Sequence, residues 1–142
     1  MDKYSLYWLK DDFAFHYYHK SDVLYHFLFQ YQMQSTDSIY EKQFQFITRT
    51  LPKEAIIEHL QSRLGNRYHV YTDKRRIDIR YDYVNVKIDC YDKEWVIHSS
   101  SLQEAEIMFF EALRGYHPSF FVVNYDQEQY GWLSPIKKEL IL

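Results

Sequence analysis

The sequence predicts an α+β fold: a mostly antiparallel or mixed sheet of about five to six strands packed with about four to five helices, as a single domain over residues 1–142. Three observations predict it. Apolar residues recur at helical spacing through residues 10–64 and again through 102–114. From Ile77 to Cys90 they switch to strict alternation, the signature of half-buried antiparallel strands. The 142 residues suffice for one core and are too few for two comfortable ones, and no repeat, low-complexity tract or linker divides them.

Taken in order, Lys3 to Leu9 is rich in aromatics and has room for one strand. Lys10 to Lys20 (KDDFAFHYYHK) reads as a short helix with Asp11 and Asp12 in its first turn and His19 and Lys20 at its end, so its charges complement the macrodipole. Phe13 and Tyr17 form an i,i+4 pair on it, while Ala14, Phe15 and Tyr18 lie about a third of a turn or more around. A helix this short has one face for its own core, and the second aromatic face is expected to bury against another protein. Ser21 reads as the N-cap of a second helix, where Val23, Leu24, Phe27, Leu28 and Tyr31 recur at helical spacing. Gln32 to Ser38 is turn-like. A third helix, Ser38 to Thr48, carries Tyr40, Phe44 and Ile47 on one face and Ile39, Gln43 and Phe46 about a quarter-turn away. Pro52 belongs in the first turn of a fourth, which presents Ile56, Leu60 and Leu64 and stops near Gly65.

In the alternating region, Ile77, Ile79, Tyr81 and Tyr83 run in one phase and Val84, Val86, Ile88 and Cys90 in the other, so a turn or bulge is required near Asp82 to Asn85. Asp92-Lys93 turns into a short strand, Glu94 to His98. Ser101 with Glu104 is a capping box for a helix from Leu102 to Arg114, closed by Gly115. Ser119 to Val123, apolar on both sides, reads as a central strand, and Asp126 to Gln129 turns the chain back into Tyr130 to Leu133.

Ten Phe, 15 Tyr and 3 Trp make the chain unusually aromatic, yet tyrosine's polar tip keeps the mean hydropathy at -0.54. A net charge of -3 gives no long-range reason to bind nucleic acid or an anionic membrane. The lone Cys90 excludes an internal disulfide and suits a reducing cytoplasm. With no signal peptide and no apolar run of membrane-spanning length, the expected location is cytoplasmic.

Candidate chemistry is sparse. His16 and His19 are i,i+3, but spacing supplies no third ligand, so no metal is expected. No nucleophile elbow is present, and Cys90 sits mid-strand as a packing residue. Three glycines leave no phosphate-binding loop, and no cofactor is expected. The cluster Lys74-Arg75-Arg76, preceded by Tyr68, His69 and Tyr71, has the composition of a single-stranded nucleic-acid grip and is the alternative functional reading; net acidity favours a charged turn between strands instead. Asp78, Arg80 and Asp82 read as the wet face of a strand. Phe13, Tyr17 and Phe46 are either core or, gathered in one patch, an interaction surface.

With these residues in view, the sequence resembles the SirA family of sporulation inhibitors of replication. The likeness is carried by YWLKDDFAFHYY (7–18), EKQFQFIT (41–48), EAEIMFFEAL (104–113) and YGWLSPIK (130–137), in order across nearly the whole chain and least between Lys53 and Tyr83. It implies a non-enzymatic protein, a monomer, that binds domain I of the replication initiator DnaA in a 1:1 complex and blocks initiation as sporulation begins. It also implies the interface: Phe13 and Tyr17 match a Phe and a Tyr, Gln43 matches a Gln, and Phe46 stands where the pattern has Tyr. Pro135 matches a position tied to activity, with Ser134 replacing an Asn beside it. Ile39 and His16 are expected to complete the patch, since a micromolar complex needs about 8 kcal/mol net and two ring anchors do not supply it.

Overall fold

Strand β1 (Asp2–Leu9) is apolar on both sides, and both sides are used: Tyr4, Leu6 and Trp8 enter one core, Tyr7 and Leu9 another. A strand buried on two faces belongs inside a sheet. In the computed structural model, which describes residues 1–34 and 38–134, β1 lies between β6 (Trp95–Ser99) and β7 (Phe120–Asn124). β7 reads the same way, with Phe120 and Val122 in the first core and Phe121 and Val123 in the second. Beyond β6 come β5 (Val84–Cys90), β4 (Arg76–Tyr81) and β3 (His69–Thr72); beyond β7 comes β8 (Gln129–Trp132). The two-residue β2 (Thr48–Arg49) continues the sheet beside Trp8 and Leu9. Among the described residues every pairing is antiparallel, and the sheet has eight strands. That exceeds the expectation because β2 is too short to show a period and the exposed β3 has no apolar alternation.

Helices cover both faces. On the first lie α4 (Lys53–Leu64) and a composite helix of α5 (Leu102–Ala105), a π-helical segment Glu106–Phe110, and α6 (Glu111–Arg114). The second face, over β1, β7 and β8, is covered by α1 (Asp11–Tyr17), α2 (Ser21–Met33) and α3 (Ser38–Ile47).

Four details depart from the expected helices. α1 stops at Tyr17, leaving His19 and Lys20 beyond its end, and Pro52 is the N-cap of α4 and not within its first turn. The span 102–114 is not uniformly α: the widened π turn lets three successive large residues, Met108, Phe109 and Phe110, all reach the core. At regular α spacing three neighbours fan over about 200° and one would face water. Ser21 is also not a cap. It lies within the first turn of α2, where its hydroxyl donates to the Tyr18 carbonyl and accepts from Trp132 Nε1 at 3.1 Å. The capping role at Ser101 does hold, its Oγ accepting from the Glu104 amide at 3.2 Å. The phase reversal near Asp82 is a two-residue hairpin: Tyr81 pairs with Val84, and Asp82 takes a left-handed φ of 51°.

Candidate docking surface

Short as it is, α1 buries one residue completely, Ala14, against the second core. Its acidic first turn and terminal His16 suit the helix dipole. Phe13 and Tyr17 flank Ala14, half-buried, each with one side on that core and one side outward. On α3, Phe44 and Ile47 are buried, so positions 39, 43 and 46 fall outward: Ile39 is 75% exposed, Phe46 60%, and Gln43 is exposed. The two helices meet at Phe13 and Phe46, whose rings pack edge to face with centroids 5.2 Å apart. Lys10, just before α1, holds its ammonium 5.3 Å from the Phe46 ring, and its backbone N–H donates to the Ile47 carbonyl at 2.9 Å. His16 packs edge-on against Tyr17 at 4.8 Å.

The structure therefore joins Phe13 with Phe46 directly, with Tyr17 one turn along α1 and Gln43 one turn back along α3. Pro135 lies outside the described residues. Lys10 escapes a reading by helical faces because its contact is between elements, and nothing in local spacing marks it. Phe15, 62% exposed on another side of α1, is not among the expected interface residues; its place off the Phe13–Tyr17 line does not mark it, since Ala14, also off that line, is core.

The end of α3 is tied down from beneath, and so is α2 beside it. The Lys93 ammonium donates to the carbonyls of Gln45 (3.0 Å) and Thr48 (3.2 Å), satisfying acceptors at the C-terminal end of α3 where a cation is also favoured. The buried Tyr7 hydroxyl donates to Glu94 Oε1 at 2.9 Å, lies 2.6 Å from the Tyr125 hydroxyl and accepts from Gln32 at 3.1 Å. Burial, then the neighbouring Tyr125 and Glu94, pushes the Tyr7 phenol well above its ordinary range, so it stays a neutral donor.

The other residues singled out in the sequence lie elsewhere in the fold. Cys90 is half-buried against the first core, and burial pushes its thiol to about 12. Arg76 pairs with Asp89 at 3.0 Å, and His98 meets the other Asp89 oxygen at 3.0 Å. Lys74 and Arg75 sit in the turn between β3 and β4, exposed, with the Lys53 ammonium on the Asp73 and Lys74 carbonyls. Of the expected wet face, Arg80 and Asp82 are exposed. Asp78 is a correction: it is 9% exposed, covered by the Arg80 guanidinium that binds it at 2.8 Å. Among the described residues, His16 and His19 belong to no group of three metal-ligating side chains, and no helix is long and apolar enough to cross a membrane.

Residues 2–137 match the family described as "Sporulation inhibitor of replication protein SirA". A protein of that name from Bacillus subtilis (strain 168) is 32% identical over 145 aligned positions, covering 95% of this chain and 95% of the relative.

Proposed function

The chain belongs to the SirA family, and on that footing we propose that it inhibits replication initiation during sporulation by docking on the N-terminal domain of the initiator DnaA. The docking face is Phe13 and Tyr17 of α1 with Gln43 and Phe46 of α3, extended by Ile39 and His16. One observation carries this reading. The Phe13–Phe46 contact makes a continuous aromatic surface from two helices whose other faces are already spent on the core. A large ring left 60% exposed beside another ring is the kind of anchor that clusters near the centre of protein interfaces. The occupant is expected to be a small helical face, and inhibition to follow from occlusion, with no chemical step. Pro135, matched to the family pattern, belongs to the same reading.

Co-purification of Tyr17→Ala with the initiator's isolated N-terminal domain tests it, with circular dichroism as the control. Loss of capture with an intact spectrum is expected. Capture at wild-type strength means the face has been misassigned.

A further inference from the structure

His117 stands in the loop between α6 and β7, against the root of the proposed docking helix. Its Nδ1 accepts two hydrogen bonds, from Trp8 Nε1 at 3.1 Å and from the Ser119 backbone N–H at 3.1 Å. An imidazole nitrogen that accepts carries no proton, so the neutral ring holds its proton on Nε2. Nε2 points at Asp11, 3.6 Å from Oδ1, and the same oxygen accepts from the Ser119 hydroxyl at 3.4 Å. Asp11 is the first residue of α1. The ring is held edge-on to Trp8 and Phe120, with centroids 5.0 and 6.4 Å away, and Arg49 lies 3.9 Å over the Trp8 indole. The charged groups facing His117 are therefore Asp11 from α1 and Arg49 from β2. Tyr116, beside Trp8, is the link to His59 of α4.

We propose that His117 is a positioning residue for the docking helix, seating the start of α1 only while its Nδ1 is unprotonated. The proposal rests on the docking reading above for its consequence, though not for its geometry. A proton added at Nδ1 meets two N–H groups, so both lose their acceptor and the ring must turn away from Trp8 and Ser119. The Asp11 side chain is 72% exposed and 3.6 Å from the ring, so its firmer contact is the Ser119 hydroxyl, and the Ser119 carbonyl accepts from the Leu9 amide at 3.0 Å, just ahead of α1. Burial holds the His117 pKa below the ordinary histidine value; Asp11 works against that and Arg49 with it. With a depressed folded value, the seat is complete above the ordinary histidine range and is lost as pH falls through the lower folded value.

The test uses the whole chain. In the free protein, the Trp8 indole and Ser119 amide resonances are expected to move together in one acid titration, and protection of the α1 amides to fall about tenfold as His117 protonates. His117→Asn, which offers an acceptor in place of Nδ1 but does not titrate, is expected to flatten both profiles. His16 and His19 are present in both proteins, so the difference isolates His117. Equal α1 protection profiles in wild type and His117→Asn, or Trp8 and Ser119 signals that titrate apart, overturn the inference. Affinity for the initiator's N-terminal domain is measured in parallel. If α1 protection follows His117 while affinity does not, the seat stands and the docking face assigned to α1 falls.

Discussion

Truncating Phe46 to alanine separates a proposed interface ring from a core ring. The residue is 60% exposed, so about six-tenths of its area is left for a partner. Burying a whole phenylalanine side chain contributes ~1.5–3 kcal/mol, and six-tenths of that is about 1–2 kcal/mol. The expected loss is about five- to thirtyfold in Kd. Among the described residues, the ring meets Phe13 at 5.2 Å and the Lys10 ammonium at 5.3 Å. Stability should therefore fall by about 1 kcal/mol. Phe44, two residues earlier, is the contrast: it is 2% exposed and stacked on Tyr31 at 4.1 Å, so Phe44→Ala should cost ~3–5 kcal/mol of stability. Calorimetric titration against the initiator's N-terminal domain, paired with urea unfolding of both variants, reads the two quantities. The reasoning is refuted if Phe46→Ala binds like wild type, or if it unfolds as easily as Phe44→Ala.

Tyr7→Phe deletes a hydroxyl that meets Glu94, Tyr125 and Gln32, and should lower unfolding free energy by ~1–3 kcal/mol in denaturant titrations. An unchanged midpoint would mean these groups do not depend on it. Ser101→Ala removes the acceptor of the Glu104 amide and should cost ~1 kcal/mol, with faster hydrogen exchange confined to the first turn of α5. Exchange that is unaffected there would deny the cap. Cys90, its thiol raised to about 12 chiefly by burial, should resist thiol reagents in the native protein and react fully on unfolding, because the thiolate is the nucleophile. Stoichiometric native labelling would show that burial does not protect it.

The reversal of alternation at Asp82 is legible because register is a local property: no single strand can hold Ile79 and Val86 on one face without a turn between them. The outward positions of α3 are legible for the same reason, since Phe44 and Ile47 claim the inward side and leave 39, 43 and 46. Period says nothing about which sheet face a helix chooses, so the division of α1–α3 from α4–α6 appears only in three dimensions. The π turn is hidden because its cause is nonlocal: the sheet beneath must accept Phe109 and Phe110 together. Ser21 has the residue type of a cap and sits at a helix start, yet Trp132, 111 residues later, claims its hydroxyl.

A helix of seven residues is marginal in isolation, and most of its order must come from tertiary contacts. The proposed docking face therefore inherits its geometry from groups a partner need never touch. Lys10 fixes the entry of α1 to the end of α3, Lys93 fixes that end to the turn between β5 and β6, and Ser119 and His117 hold Asp11. Glu94, next to Lys93, anchors Tyr7 in the middle strand, so the same turn serves both the sheet and the helix above it. Rings already held in place lose less freedom on association, and a surface of modest area depends on that saving. Sequence blocks 7–18 and 41–48, far apart in the chain, are thereby brought into contact as one surface. In the proposed complex, recognition falls to a few rings, and its precision to the polar contacts behind them.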